Sequence, residues 1–263
     1  MASRTTARPS TTTPTITTTT ITATTTITTT TITTTATTTT EALYRLLTWL
    51  SPAYPVGAYT YSHGLEAAVE EGAVTRRDDL VAYVATALRD GAGRVDGALL
   101  AAAHRALAAG KARALDAVAE LGAAWRGTPE TALEAEAQGT AFLNVTLAAW
   151  PEPRLAAFAA RHPRRIPHAV AFGAAAAAHG VPLRDATFGY LSAFAANLVS
   201  AGVRLVPLGQ TDGQLATAAL LPVVAAAAEA ALTADLDRIG TASPALDLFS
   251  IRHETQYTRL FRS

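Results

Sequence analysis

The feature that most constrains the fold is the helical spacing of apolar residues between breaks rich in proline and glycine. Four leucines between residues 43 and 50 recur at this spacing, directly after Thr40, which can cap a helix. The segment 51–60, SPAYPVGAYT, then contains two prolines and a glycine, a combination that a continuous helix does not tolerate. Helical segments and breaks alternate in this way to the end of the chain, and no segment after residue 40 shows the alternating pattern of a strand.

Several segment boundaries carry capping signals. Gly72 ends one helical segment as a left-handed cap, and Thr75 and Asp78 have capping-box spacing before the next. Asp96 can cap the following helix, and Thr128, which precedes a proline, is a strong helix start. The pattern predicts an all-α fold over residues 41–263, a single compact bundle of roughly nine or ten helices.

Residues 1–40 differ from the rest of the chain in composition. Positions 5–40 contain 25 threonines, with single isoleucines scattered among them. Such a segment buries too little apolar surface to offset its chain entropy, although threonine and isoleucine both favour strands. We therefore expect a disordered low-complexity tract without an assigned function, and its sequence lacks the apolar h-region of a signal peptide.

The charge composition narrows the class of protein. Lys+Arg and Asp+Glu are both 21, whereas a general nucleic-acid binder would show a large basic surplus. Charged residues make up 16% of the chain, against roughly a quarter in typical domains, which suggests that partners cover part of the surface. The chain has no cysteine, which excludes disulfides, thiolate metal sites and cysteine nucleophiles and fits a cytoplasmic protein.

Two apolar segments raise the question of a membrane. Residues 186–203 carry no charge over 18 positions, which meets the length criterion for a transmembrane helix. Much of this segment is Ala, Ser, Thr, Gly and Asn, which drive insertion weakly, and the uncharged segment 213–228 contains Pro222. We therefore expect a buried core helix and no membrane, and a peripheral membrane protein that uses residues 186–228 is a competing interpretation.

The chain lacks the common catalytic motifs. It has no phosphate-binding loop that ends in Gly-Lys-Ser/Thr, no His-Glu-x-x-His and no Gly-x-Ser-x-Gly. None of its six histidines lies three or four residues from another, so no helix offers a two-histidine half-site for a metal. We expect no catalytic residue, no metal site and no stably bound cofactor. The alternative is a stand-alone helical metal-dependent hydrolase that uses His63 and Glu66, which are three residues apart.

Three stretches differ from ordinary core sequence. The first, 51–66, crowds three tyrosines around a Pro-Val-Gly turn and suits recognition, although a helix connector that packs on the domain is equally compatible. The second, 201–214, has Arg204 at the end of the most apolar helix, where the helix dipole alone favours an arginine. The third, 252–263, mixes arginines with Tyr257, Leu260 and Phe261, and Tyr and Arg are enriched in interface hot spots. Docking of Leu260 and Phe261 on their own domain is the alternative.

Together the three stretches resemble the urease accessory protein UreF family, in three places and in the same order. SPAYPVGAYTYSHGLE is similar to the N-terminal signature of that family, VRLVPLGQTDGQ to its central motif and RHETQYTRLFRS to its C-terminal motif. EAEAQGTAFL at 134–143 is a weaker match. The resemblance covers about residues 43–263, and the threonine tract lies outside it. Tyr59 stands where phenylalanine is common and Arg204 where some members have lysine, and both keep the character of the residue.

The resemblance implies a non-catalytic, all-α homodimer in the cytoplasm that works in urease maturation. In that family the protein joins a UreD/UreH-type accessory protein and recruits the GTPase UreG, which binds the GTP, and the assembly delivers nickel to apo-urease. A role of Arg204 in GTP hydrolysis is a further hypothesis. We expect the C-terminal residues to be held chiefly by the UreD/UreH-type partner, and nickel to pass through or beside this protein without residing in it.

The motif match carries a partner-binding role onto residues of all three stretches. In the C-terminal stretch these are Arg252, His253, Glu254, Tyr257, Arg259, Leu260, Phe261 and Arg262. In the first stretch they are Pro55, Gly57, Tyr59, Tyr61, Ser62, His63, Gly64 and Glu66. In the second stretch they are Arg204, Pro207, Gly209, Gln210 and Gln214.

Overall fold

The computed structural model describes residues 1–2, 37–163 and 166–263. The tract predicted to be disordered lies almost entirely outside the described residues. Within them, ten α-helices of nine to 23 residues and one of six residues account for the regular structure, together with two 3-10 turns, and no residue is in a strand. The prediction of an all-α fold is therefore confirmed, with one helix more than the upper end of the expected number.

The helices follow the chain with short connections. They are α1 (Thr40–Trp49), α2 (Leu65–Glu70), α3 (Arg77–Arg89), α4 (Ala92–Ala108), α5 (Ala112–Ala124), α6 (Pro129–Ala149), α7 (Pro153–Arg161), α8 (His168–Ala178), α9 (Leu183–Leu205), α10 (Gln210–Leu232) and α11 (Pro244–His253). The 3-10 turns are Ala58–Thr60 and Leu236–Arg238.

Some of the capping signals act as predicted. The Thr128 hydroxyl accepts a hydrogen bond from the backbone N–H of Thr131 at 3.2 Å, and Pro129 occupies the first position of α6. Gly72 follows α2 with a φ of +76°, which is the left-handed conformation expected there. α11 starts after Ser243, with Pro244 in its first turn.

Two predicted caps are wrong. α4 starts at Ala92, so Asp96 lies inside this helix, where its buried carboxylate forms an ion pair with Arg126 at 2.9 Å. The capping interaction before α3 does not use Asp78. Instead, the Asp79 carboxylate accepts hydrogen bonds from the N–H and the hydroxyl of Thr75, at 3.1 and 3.0 Å. α4 instead begins after Gly91 without a side-chain cap, and the cap before α3 shifts by one residue to Asp79.

The core is organised around α4, which packs against α5, α8, α9 and α10. α8 approaches α4 so closely that a Cβ atom at Gly173 would lie 2.3 Å from the carbonyl oxygen of Leu100. A small residue is therefore required at this crossing. An aromatic cluster closes the end of the core near α1, with the Trp49 ring edge-on to Phe142 and Phe172 at centroid distances of 5.7 and 5.9 Å.

Two described helices are long and apolar enough to cross a membrane, by length and composition only. α9 is one of them, and 61% of its apolar window is buried inside the domain. The other is α10, whose apolar window is only 28% buried and leaves Leu215 and Leu221 exposed. α9 therefore behaves as a core helix, whereas α10 presents an uncovered apolar face.

Candidate functional site

The three stretches singled out in the sequence meet at one place in the fold. We call them the signature turn (residues 54–66), the central segment (204–214) and the tail (252–263). The guanidinium of Arg204 lies 4.4 Å from the centroid of the Phe261 ring and donates a hydrogen bond to the carbonyl oxygen of Tyr59 at 2.8 Å. One side chain of the central segment thus contacts both of the other segments.

The signature turn has an unusual backbone. Gly57, His63 and Gly64 all have positive φ values, of +73°, +53° and +77°. The carbonyl of His63 accepts a hydrogen bond from the Tyr83 hydroxyl at 2.8 Å, which holds this turn against α3. A Cβ atom at Gly64 would lie 2.6 Å from the backbone nitrogen of Ser250, so α11 rests directly on the turn.

Backbone groups of the tail are bound by the signature turn. The Glu66 carboxylate accepts hydrogen bonds from the N–H groups of Leu260 and Phe261, at 2.7 and 2.9 Å. The N–H of Arg262 donates to the carbonyl oxygen of Thr60 at 2.8 Å, and another turn residue, Ser62, binds the backbone carbonyl of Ser263. The last four residues of the tail, 260–263, are therefore all hydrogen-bonded to their own domain through their backbone.

A chain of side-chain contacts centred on His253 also holds the tail against the domain. The buried imidazole of His253 has one nitrogen 3.1 Å from Glu66 and the other 2.8 Å from Glu130. The second oxygen of Glu130 pairs with Arg259 at 2.9 Å. Both imidazole nitrogens of His253 thus lie within hydrogen-bond distance of a carboxylate, one from α2 and one from α6.

Glu134 of α6 forms a second contact group beside the first. Its carboxylate lies 3.0 Å from Nε2 of His63 and accepts hydrogen bonds from the Gln138 amide at 2.8 Å and the Ser263 hydroxyl at 3.0 Å. Burial alone would lower the pKa of His63, but the charge and hydrogen bond of Glu134 outweigh burial and raise that pKa. The pair is therefore an ion pair over a wider pH range than a free histidine allows.

A cavity of about 100 Å³ lies beneath the signature turn, between α4, α6, α8 and α9. Its polar lining includes the Asp96–Arg126 ion pair, and the hydroxyl of Tyr190 donates to Asp96 at 3.2 Å. Burial lowers the pKa of His168 to about 4, so this lining imidazole is neutral at neutral pH. Among the residues that the structure describes, no group of three or more His, Cys, Asp or Glu side chains could hold a metal ion.

The site residues named from the sequence fall into three groups by burial. Buried are Tyr61, Ser62, Gly64, Glu66, His253 and Phe261. Partly buried are Gly57, His63 and Glu254. Exposed are Pro55, Tyr59, Arg204, Pro207, Gly209, Gln210, Gln214, Arg252, Tyr257, Arg259, Leu260 and Arg262. The exposed group is the part of the set that a partner can touch in this arrangement, and the buried group contacts its own chain.

Two expectations about these residues need correction. The tail is held here by its own domain, and Phe261 is 3% exposed whereas Leu260 is 64% exposed. The self-docking alternative therefore fits Phe261 and does not fit Leu260. The alternative hydrolase also does not fit, because His63 pairs with Glu134 while Glu66 is engaged by the tail.

Sequence reasoning missed the carboxylates that α6 contributes and the buried ion pair below them. Glu130 and Glu134 belong to the first turns of α6, and Asp96 and Arg126 lie on α4 and after α5. A signal exists only for the first two, because they face one side of α6 at the spacing of one helical turn. The ion pair joins residues 30 positions apart and has no local signal.

The fold and the site define an all-α protein whose distinctive residues hold a surface segment in place. Comparison with known proteins gives the family. The family model described as UreF matches residues 74–221. The chain is 66% identical over 222 residues to the urease accessory protein UreF of Granulibacter bethesdensis, which covers 84% of this chain and 94% of the relative.

Further relatives agree with this match. Identity to the urease accessory protein UreF of a Methylobacterium species is 51% over 218 residues, or 83% of this chain and 87% of the relative. Identity to that of Rhodopseudomonas palustris strain BisB5 is 50% over 222 residues, or 84% and 91%. The chain belongs to the urease accessory protein UreF family.

Proposed function

We propose that this protein is a non-catalytic scaffold in urease maturation. It joins a UreD/UreH-type accessory protein and the GTPase UreG to apo-urease, and the assembly inserts nickel in a GTP-dependent step in the cytoplasm. Family membership supports the accessory role, and the three motifs named above support the individual partners. Nickel is the cargo of the assembly in this proposal, and the chain itself holds neither a resident metal nor a nucleotide.

The observation that carries the proposal is the display of two large side chains by a tail whose last residues are hydrogen-bonded to the domain through their backbone. Tyr257 is fully exposed and Leu260 is 64% exposed, while Phe261 beside them is buried. A fixed backbone reduces the conformational entropy that is lost on binding, and exposed tyrosines are frequent interface hot spots. The tail thus has the form of a prepared contact surface for the UreD/UreH-type protein.

A double substitution with a matched control tests this role. Tyr257→Ala/Leu260→Ala removes the displayed side chains and leaves the buried contacts of the tail in place. Tyr44→Ala/Leu47→Ala on α1 removes the same two residue types at the same spacing, from side chains that are 68% and 63% exposed. Deletion of the whole tail is a poorer test, because it also removes His253 and opens the core.

The measurement is co-purification of the UreD/UreH-type protein, with circular dichroism as the check on folding. We expect the tail variant to lose at least tenfold in affinity, since hot-spot truncations cost about 2 kcal/mol or more, and the α1 variant to bind like the parent protein. Equal binding by the tail variant and the parent protein would refute the proposed contact.

Arg204 is proposed to modulate GTP hydrolysis by UreG. Its guanidinium is exposed but engaged by Phe261 and by the Tyr59 carbonyl, so a finger role requires it to leave both contacts. A role in docking the GTPase through this three-motif junction does not require that. Arg204→Ala and Arg204→Lys, compared for UreG binding and GTP turnover, separate the two roles, since an arginine finger is worth about 10³-fold or more in turnover.

A homodimer is also part of the proposal, and the uncovered apolar face of α10 supports it. Leu215 is 49% exposed and Leu221 is 58% exposed on a helix that has no charged residue between Asp212 and Glu229. Leu221→Glu should convert a dimer to a monomer in size-exclusion chromatography with light scattering. A dimer that persists in Leu215→Glu/Leu221→Glu would remove α10 as the interface.

A further inference from the structure

Glu66 has an arrangement of contacts that its own helix does not explain. It lies in the first turn of the short helix α2, yet it is buried and its carboxylate points away to the tail. Both of its oxygens accept N–H groups of the tail backbone, and Oε2 also faces His253 at 3.1 Å. A buried carboxylate is costly to desolvate unless such partners stabilise it, so these contacts are strongly coupled to the charge.

The two N–H groups that Glu66 binds belong to successive residues. In an extended chain, successive N–H groups point to opposite sides, so they cannot both reach one carboxylate. Convergence of the Leu260 and Phe261 N–H groups on Glu66 therefore requires a bend of the tail at this point, as in the backbone nests that bind anions. At this bend the Phe261 side chain is buried in the core and the Leu260 side chain is exposed to solvent.

We infer that Glu66 is a positioning residue that sets the bend of the tail and thereby presents Tyr257 and Leu260 to the partner. Its carboxylate acts through the tail backbone and does not itself touch the partner, which revises the contact role expected for Glu66 from the sequence. The part of the inference that concerns partner binding rests on the proposed function. The part that concerns the bend rests on the hydrogen bonds alone.

The charged groups around Glu66 favour the same conformation. The His253 imidazole contacts Glu66 on one side and Glu130 on the other, and Glu130 also pairs with Arg259 of the tail. Glu66 is thus the end of a chain of four linked side chains, and its remaining contacts are with N–H donors of the tail backbone. A neutral side chain of the same shape at position 66 therefore weakens these contacts at the point where the tail is attached.

Glu66→Gln is the direct test, because it keeps the shape of the side chain and removes the charge and one of the two acceptor oxygens. The amide then offers an N–H group where the tail also offers an N–H group. We expect hydrogen–deuterium exchange in peptides covering residues 254–263 of the full-length protein to accelerate about 10- to 100-fold, the equivalent of one hydrogen bond to a charged group. Exchange in α4 and α9 should stay unchanged. A general loss of stability would instead accelerate exchange in these core helices as well.

Glu71→Gln is the matched control on the other side of α2. Glu71 also contacts the tail, through an ion pair with Arg252, but both side chains are substantially exposed. Exposed ion pairs contribute little, so exchange of the tail should change by less than about fivefold. If Glu66→Gln does not fold, Glu66→Asp serves instead, because it keeps the negative charge and withdraws the carboxylate from the tail by one methylene group.

The two readouts separate the inference from the proposed function. Faster tail exchange together with loss of the UreD/UreH-type partner in co-purification supports both. Faster tail exchange with undiminished partner binding supports the positioning of the tail by Glu66 and refutes the proposed contact. Tail exchange that stays at the parent rate in the Glu66 variant overturns the inference, whatever the partner does.

Discussion

Gly64 contacts α11, the helix that leads into the tail, so closely that one added methyl group should disturb this contact. It joins the signature turn to α2 with a φ of +77°, and α11 passes directly over it. A Cβ atom here would lie 2.6 Å from the backbone nitrogen of Ser250 and 2.9 Å from the carbonyl carbon of Phe249. Backbone atoms of a helix do not move aside as a flexible side chain does, so Gly64→Ala must displace α11.

The expected loss in the free energy of unfolding of Gly64→Ala has two contributions. A second glycine of the chain, Gly72, serves as a control that separates them. A left-handed conformation costs a non-glycine residue about 1–2 kcal/mol, and overpacking against backbone adds about 1–3 kcal/mol. Gly72 has nearly the same φ, +76°, but a Cβ atom there would meet nothing within 4 Å. Gly72→Ala should therefore lose only the first part, and Gly64→Ala about 2–5 kcal/mol in total.

Urea unfolding monitored by circular dichroism measures both variants on the same scale. The difference between their free energies of unfolding isolates the steric contribution, because the conformational cost is common to the two glycines. Displacement of α11 should also accelerate hydrogen exchange in the tail of Gly64→Ala and leave that of Gly72→Ala unchanged. A difference of less than about 0.5 kcal/mol, comparable to the error of extrapolation, would refute the close approach of α11 to the turn.

Two further perturbations test the buried charges. The raised pKa of His63 means that its stabilising contact with Glu134 is complete below the unfolded pKa of about 6.5 and is lost as pH rises through the folded value. His63→Gln should thus destabilise the protein more at pH 6 than at pH 9 in urea unfolding, and the opposite order would contradict the ion pair. Asp96→Ala should cost about 3–5 kcal/mol because it leaves Arg126 buried without a partner, whereas Asp96→Ala/Arg126→Met should recover part of this loss. A double variant no more stable than Asp96→Ala would show that the lost stability has another source.

Local sequence signals predicted the helices well and their first residues less well. Thr128 and Gly72 act as caps because each needs only its own neighbours. The first helix is capped by Thr39, one residue before the predicted Thr40, in a run of threonines where every position offers the same hydroxyl. The cap predicted at Asp96 also rests on neighbouring residues alone. Its actual partner is the buried Arg126, which lies 30 residues later in the chain.

The candidate site was predictable in its parts and not in its assembly. The three motifs were visible as unusual stretches, but their sequence spacing says nothing about contact between Tyr59, Arg204 and Phe261. The structure joins them through one guanidinium, which explains why an arginine at the end of α9 is more than a favourable dipole contact. Composition likewise indicated that the tail holds contact residues, but it could not distinguish Phe261, which is buried, from Leu260, which is exposed.

The assembly of the site could not be predicted because the site buries carboxylates, which are usually exposed to solvent. Glu66 and Glu134 occupy helix positions at which a carboxylate is normally solvated, yet both are buried. Each is stabilised there in part by hydrogen-bond donors that residues nearly 130 or more positions later supply. The donors are backbone N–H groups and a serine hydroxyl, which carry no sequence signature. A buried carboxylate that is partly satisfied by the tail also makes the docked tail part of the stability of the domain, because undocking removes hydrogen bonds from both Glu66 and Glu134. That coupling is what allows one acidic side chain to control the conformation of a segment nearly 200 residues away.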